Sequence, residues 1–269
     1  MTPTDKKNLL INEIKKYKRV AVAFSGGVDS TFLLKMCIDT LGSNNVIALT
    51  ADCSAFPKRE LDETDRLCAE MGAKHLNIKI NQLRIDGFVK NTSLRCYYCK
   101  RELMSQLIKA AQERGFDTVF EGSNADDDND YRPGMRALKE LGVLSPLKKA
   151  ELTKSEIRRL SKSIGLSTYS KPSLACLATR IEYDEEITAQ KLKMTDEAEQ
   201  VLCDLGLTQV RVRMHNNSAR IEVPFDEMKI VFDNAEYINN TFKKIGYDFV
   251  SLDLEGYKTG KMNININNC

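Results

Sequence analysis

Three groups of residues in this chain have the types and spacing that chemistry needs. The first is Ser25-Gly26-Gly27-Val28-Asp29-Ser30, two glycines framed by two hydroxyls and a carboxylate. Glycines let a backbone turn tightly around an anion, and the amides of a following helix N-terminus aim positive dipoles at it. Ser25 and Ser30 add hydroxyl donors. Asp29 is the odd member, because a carboxylate beside a phosphate repels it unless it holds a metal ion or caps the helix. A plain glycine turn with a Ser/Asp cap is the bland alternative.

The second group is three of the eight cysteines. Cys37, Cys53, Cys68 and Cys203 stand alone and read as small buried hydrophobes, and Cys269 is terminal. Cys96 and Cys99 form a C-x-x-C, and Cys176 lies in Leu174-Ala175-Cys176-Leu177. Zinc needs about four ligands, and neither His75 nor His215 lies near the pair. A thioredoxin-type pair opens a helix directly after a strand, whereas Cys96 is expected to follow a loop. Two buried thiols would sit among Arg95, Lys100 and Arg101, a polar setting. An iron–sulfur cube held by Cys96, Cys99 and Cys176 would leave one iron without a protein ligand. Spacing alone leaves these readings open.

The third group is charged. Arg211 and Arg213 alternate with valines, so on a strand both face one side, and with Arg220 they suit a phosphate monoester. A solvated strand face is the alternative. Asp126, Asp127, Asp128 and Asp130 crowd one loop, where a solvated acidic surface competes with a Mg²⁺ or ribose contact.

These residues need a scaffold. Over the first 165 residues short β-like runs alternate with helical patterns, which predicts a parallel sheet with crossover helices. Strands are expected at Arg19–Phe24, Asn45–Thr50, Lys74–Ile80 and Asp117–Glu121. Helices are expected from Ser30 to Leu41, Pro57 to Met71, Cys99 to Arg114 and Glu151 to Ile164, the last capped by Thr153. Asn81–Arg95 and Gly122–Pro133 fit neither pattern, and the second follows a strand's carboxyl end, where open α/β sheets bind ligands. From Asp184 the pattern changes to helix Ile187–Leu205, strands Gln209–His215 and Ala219–Pro224, helix Asn234–Ile245 and strand Asp248–Leu254. That predicts a small antiparallel α+β domain. Domains are therefore expected at 1–183 and 184–269, with a frayed Asn-Ile-Asn-Ile-Asn-Asn end.

Composition narrows the partners. The chain has 40 Lys and Arg against 38 Asp and Glu, so a net charge of +2 gives no general electrostatic case for nucleic acid. Its longest apolar run, Val20 to Phe24, is far below the roughly 20 residues of a membrane span. The N-terminal segment lacks the apolar stretch of a signal peptide, so a cytoplasmic chain with reduced thiols is expected.

The string Val20-Ala21-Val22-Ala23-Phe24-Ser25-Gly26-Gly27-Val28-Asp29-Ser30 resembles the SGGxDS pyrophosphate loop of the PP-loop ATP pyrophosphatase superfamily. No Gly-Lys-Ser/Thr follows, so it is not a Walker A motif. The resemblance implies cleavage of ATP between its α- and β-phosphates and a Mg²⁺ ion. It implies ATP contacts at Ala23, Ser25, Gly26, Gly27, Asp29, Ser30, Gly122 and Asp126, with adenine near Thr50 and Ala51. Beyond the loop, Glu121 to Gly134, Lys171 to Ile181 and Val210 to His215 are similar, in order, to the sulfur insertases that mature the nickel-pincer nucleotide cofactor of lactate racemase. The match runs from about Lys15 to Met262.

That family has two branches. In one a single cysteine surrenders its own sulfur, and the region matching Cys96–Cys99 has no cysteine pair. In the other three cysteines bind a [4Fe-4S] cluster that carries exogenous sulfide. With Cys-Tyr-Tyr-Cys and the Ala-Cys-Leu-Ala form this chain resembles the second branch, and the resemblance implies Cys96, Cys99 and Cys176 as cluster ligands and Cys176, Lys100 and Asp29 as catalytic residues. Arg211, Arg213 and Arg180 would hold the phosphate of a pyridinium-3,5-biscarboxylic acid mononucleotide, with Glu199 and Glu222 also matching. A sulfide or other sulfur donor and a homo-oligomer are implied as partners. Two rivals remain at this level: a transfer-RNA thiolase and a non-catalytic adenine-nucleotide sensor.

Overall fold

The computed structural model describes residues 1–129, 133–172 and 175–258. Asp130, Ser173, Leu174, Cys269 and the expected frayed end lie outside the described residues. In chain order the elements are α1 (Pro3–Ile14), β1 (Val20–Ala23), α2 (Val28–Leu41), β2 (Val46–Asp52), α3 (Lys58–Glu70), β3 (Lys74–Lys79) and the one-turn α4 (Asp86–Val89). Next come α5 (Arg95–Gln112), β4 (Val119–Phe120), α6 (Pro133–Glu140), α7 (Pro146–Lys149) and α8 (Lys154–Ser163). α9 (Ala189–Asp204), β5 (Arg211–His215), β6 (Ser218–Glu222), α10 (Met228–Asp233), α11 (Ala235–Ile245) and β7 (Phe249–Leu252) follow. No helix among the described residues is long and apolar enough to cross a membrane.

Contacts divide the chain into two compact units, Met1–Asn81 with Cys96–Leu174 and Gln82–Arg95 with Ala175–Cys269. Strand-and-helix patterning does not signal that Gln82–Arg95 packs with the C-terminal half.

In the first unit four parallel strands stand in the order β3-β2-β1-β4. Alternate residues face opposite sides of a strand, and both sides are covered. Val20, Val22, Val46 and Ala48 join Leu10, Phe32, Leu33, Leu67 and Ile157 in one apolar cluster. Ala21, Ile47 and Leu49 join Met104, Leu107 and Leu138 in another. Burial on both faces is why these strands read as continuous apolar runs. The expected α/β fold with a parallel sheet is present. Details differ: α2 begins two residues earlier than the pattern indicates, and Pro57 is the N-cap of α3 instead of lying inside its first turn. α6 and α7 fall where no element was expected. α8 has the expected Thr153 cap, completed as a box by Glu156.

The second unit packs Val212, Met214, Ala219 and Ile221 against α9 and α11 through Ala198, Leu202, Ile238 and Phe242. β5 and β6 are antiparallel across the turn at Asn216, whose φ is +49°. β7 is a correction to the all-antiparallel expectation: it pairs with β6 in parallel. The cause is the connection, since α10 and α11 form a crossover that returns the chain in the direction of β6.

Candidate active site

The chain leaves β1 toward β2 and later returns to the other side of β1 as β4, so the β1/β4 boundary is the switch point of the sheet. Open α/β sheets bind ligands at the carboxyl ends of such strands. Ser25–Ser30 occupies that end of β1. Gly26 has φ +67°, a conformation that a side chain disfavours. Gly27 is the N-cap of α2 and supplies no side-chain cap, which leaves the first-turn amides to an outside acceptor. The Ser30 hydroxyl closes the loop, donating to Gly27 O at 3.1 Å and accepting from Ser25 N at 3.3 Å. From β4, Gly122 presses against this turn: a Cβ there would stand 3.1 Å from Ser30 N.

Asp29 is held by Lys154, the first residue of α8, through an ion pair. Burial pushes its carboxyl above the ordinary range despite Lys154, and nearby Asp127 adds to the rise. Its Oδ1 is buried with no hydrogen-bond partner among the described residues. The acid loop lies beside it, in the 3₁₀ turn Ala125–Asn129. Asp126 Oδ2 accepts from Lys154 N at 2.8 Å, and Asp127 Oδ2 accepts from Asn124 N at 2.9 Å. An orphaned carboxylate oxygen flanked by acids is the donor chemistry that Mg²⁺ takes.

A second lysine reaches the loop. Lys171 Nζ donates to Gly26 O at 3.2 Å, is 2.7 Å from Glu60 and also pairs with Glu63. At the expected adenine position, pairing of β2 with β1 ends at Leu49, so Thr50–Asp52 pair only with β3. Thr50 itself is committed inward: its hydroxyl donates to Phe24 O at 2.8 Å and lies 2.8 Å from His75 Nε2.

The cysteines separate by environment. Cys37 and Cys68 are buried, which pushes both thiols up, that of Cys68 to about 12. Cys96 and Cys176 are exposed and Cys99 is half-buried. α5 starts at Arg95, so Cys96 lies on its first turn and Cys99 opens the second, where a loop and a helix start at Cys99 were expected. Arg95 N already closes onto Thr92 O at 2.8 Å. Cys96, Cys99 and Lys100 therefore share one helix stripe at i, i+3 and i+4. Thiols are the donor type an iron–sulfur cluster takes, with Cys96 and Cys99 in the first unit and Cys176 in the second. Among the described residues, His, Cys, Asp and Glu side chains form no assembled group of three that could hold a metal ion.

In the second unit a charged network surrounds the Arg-Val-Arg strand. Arg180, 2% exposed, is bidentate with fully buried Glu199 at 2.7 and 3.0 Å. Its Nη1 donates to Ala175 O at 3.1 Å and Cys176 O at 3.3 Å. Arg213 donates to Glu222 at 3.1 Å and to Thr179 O at 2.7 Å. Arg211 is 5% exposed, and burial with the charge of Arg180 pushes it down to about 10, still protonated at neutral pH. Arg220 pairs with Glu222 and Asp253. Among the described residues Arg180, Arg213 and Arg220 pair with Glu199, Glu222 and Asp253, and Arg211 lies within the same network of charges.

An NAD synthase family model matches residues 5–114, the span holding the glycine loop and the C-x-x-C. A pyridinium-3,5-bisthiocarboxylic acid mononucleotide synthase of Lactiplantibacillus plantarum is 36% identical over 262 residues, 97% of this chain and 95% of that protein. The chain belongs to that synthase's family. An uncharacterised protein of Synechocystis sp. is 39% identical, covering 91% of this chain and 92% of its own length. One from Methanocaldococcus jannaschii is 32% identical over 93% and 94%. Membership bears out the expected PP-loop fold and the class of sulfur-inserting enzyme. Lys154, which pairs with Asp29, and Lys171, which donates to Gly26 O, are contacts of the glycine loop that the sequence reading did not single out. The capping box Thr153-Lys154-Ser155-Glu156 was the signal available for the first, since it announces a helix N-terminus with a lysine on it.

Proposed function

We propose that this chain binds ATP and Mg²⁺ at Ser25–Ser30 and converts the two carboxylates of pyridinium-3,5-biscarboxylic acid mononucleotide into thiocarboxylates. The observation that supports this most is the loop at the β1/β4 switch point, with the α2 amides open and Asp29 Oδ1 orphaned beside Asp126 and Asp127. Asp29 and an acid of that loop would hold Mg²⁺. Lys154 and Lys171 would meet the phosphates, and Ala23, Ala51 and Gly122 would line the nucleotide.

A substrate carboxylate oxygen attacks the α-phosphorus, the bond to the bridging oxygen breaks, and pyrophosphate leaves. The gain is chemical: a carboxylate cannot expel oxide, whereas an acyl adenylate can expel AMP. Sulfide adds to that carbonyl and AMP departs with the C–O electron pair. A [4Fe-4S] cluster on Cys96, Cys99 and Cys176 would supply an open iron to carry the sulfide. Lys100, one turn from Cys96, offsets negative charge beside the thiolates. Arg211 and Arg213, with Arg180 behind them, anchor the substrate phosphate. The first unit is then the nucleotide-binding part and carries Cys96 and Cys99, and the second carries Cys176 and is the substrate-binding and oligomerising part of a cytoplasmic homo-oligomer.

Anaerobic purification, with iron and sulfide analysis and an assay of mononucleotide-dependent pyrophosphate release, tests the reading. ATP binding without pyrophosphate release would replace it with a nucleotide sensor. Iron-free protein that still thiolates repeatedly would remove the cluster.

A further inference from the structure

Asn91 is fully buried and has φ +52°, left-handed backbone that Asn tolerates better than most residues. Its Nδ2 donates to Glu182 O at 2.6 Å and Glu185 O at 3.0 Å, and its backbone carbonyl accepts from Asp184 N at 3.1 Å. Its Oδ1 takes the guanidinium of Arg95. Arg95, 2% exposed, also donates to Ala178 O at 3.0 Å and lies 5.3 Å from the ring centroid of Tyr183. Ile187 N donates to Val89 O at 2.9 Å. Residues 89–95 thus grip the segment after Cys176 at 178, 182, 184, 185 and 187.

The segment holds the 3₁₀ turn Leu177–Arg180, a bridge from Ile181 to Met214 and the Arg180 and Arg213 contacts described above, whereas residues 182–187 form no helix or strand. Among the described residues Arg95 meets no carboxylate, only a carbonyl, an amide oxygen and a ring. A buried guanidinium answered this way is costly to keep. A neutral loop anchor would avoid that cost, so the planar fork itself is being used.

We infer that Arg95 and Asn91 are positioning residues for Cys176: they fix the path of residues 177–187 and with it the place where the Cys176 thiol is offered. This rests on the proposed sulfur role of Cys176 and adds the residues that hold it ready. Neither side chain touches a reacting atom.

Hydrogen exchange on the full chain, compared among wild type, Arg95→Met, Arg95→Lys and Asn91→Gly, tests the inference. Glycine suits the backbone at position 91, so Asn91→Gly removes the side-chain grip without straining the turn. In Arg95→Met and Asn91→Gly, amides of 177–187 should exchange about tenfold faster while those of β1, β2 and α2 keep their protection. Mononucleotide-dependent pyrophosphate release should keep kcat and KM within about twofold. The kcat for thiocarboxylate formation should fall about tenfold or more, and Arg95→Lys should recover part of it. Unchanged exchange in 177–187, or a parallel fall of both activities, overturns the inference. Wild-type protein that forms no thiocarboxylate sinks the proposed function instead, and the exchange arm then decides the positioning role alone.

Discussion

Lys154 Nζ is ion-paired with the carboxylate of Asp29, 125 residues earlier in the chain, while the backbone amide of the same lysine holds Asp126. One residue at a helix N-terminus therefore ties the glycine loop to the acid loop. The pair leaves Asp29 strained in charge, not in geometry: burial raises its pKa even with Lys154 in contact.

Asp29→Ala should accordingly separate stability from function. Removing a buried carboxylate takes away a desolvation cost, so the melting temperature should hold or rise. Substrate-dependent pyrophosphate release should fall by about 100- to 1,000-fold, as expected when a group that stabilises the transition state is lost. Undiminished release would take Asp29 out of the mechanism.

Arg211 and Arg213 carry a prediction about recognition. Replacing either by Ala should raise KM for the mononucleotide much more than KM for ATP. A charge-assisted contact is worth roughly 1.5–3 kcal/mol, or about a 10- to 100-fold change. Because Arg213 also serves buried Glu222, its variant should lose thermal stability as well. Wild-type affinity in both variants would mean that the network is structural only.

The cysteines decide between two sulfur chemistries. Each of Cys96→Ala, Cys99→Ala and Cys176→Ala should lose iron–sulfur absorption and thiolation together while ATP binding persists. Supplied with sulfide anaerobically, the wild type should turn over repeatedly and Cys176 should keep its mass. A yield capped at one sulfur per chain, with Cys176 converted to dehydroalanine, would restore the sacrificial mechanism.

His75 predicts a pH dependence. Burial lowers its pKa, outweighing Asp65 at 2.9 Å. The folded chain then binds this proton less readily than the unfolded one, so stability is fully present above about pH 6.5 and is lost on acidification below it. Glu13 and Glu156, whose carboxyls sit below their ordinary range, lose their contributions only at more acid pH. Thermal melts between pH 8 and 5.5 should show a shallower acid slope for His75→Gln than for the wild type. Identical slopes would assign the loss elsewhere.

The parts of the fold legible in the sequence are those whose cause is local. A continuous apolar run before two glycines leaves few conformations other than strand, tight turn and helix, and a Thr-x-x-Glu box starts α8. Four motifs in order named the family. Contacts between residues far apart in the chain became visible only in the folded protein: Lys154 on Asp29, Lys171 on Gly26, Arg180 on Glu199, Arg95 on Ala178. So did the helix start at Arg95 and the parallel pairing of β7. Periodicity records which face of an element is apolar, because burial repeats along the chain. It carries no record of which charge a lysine meets, since that depends on where folding brings a second segment and on how much water both groups lose there.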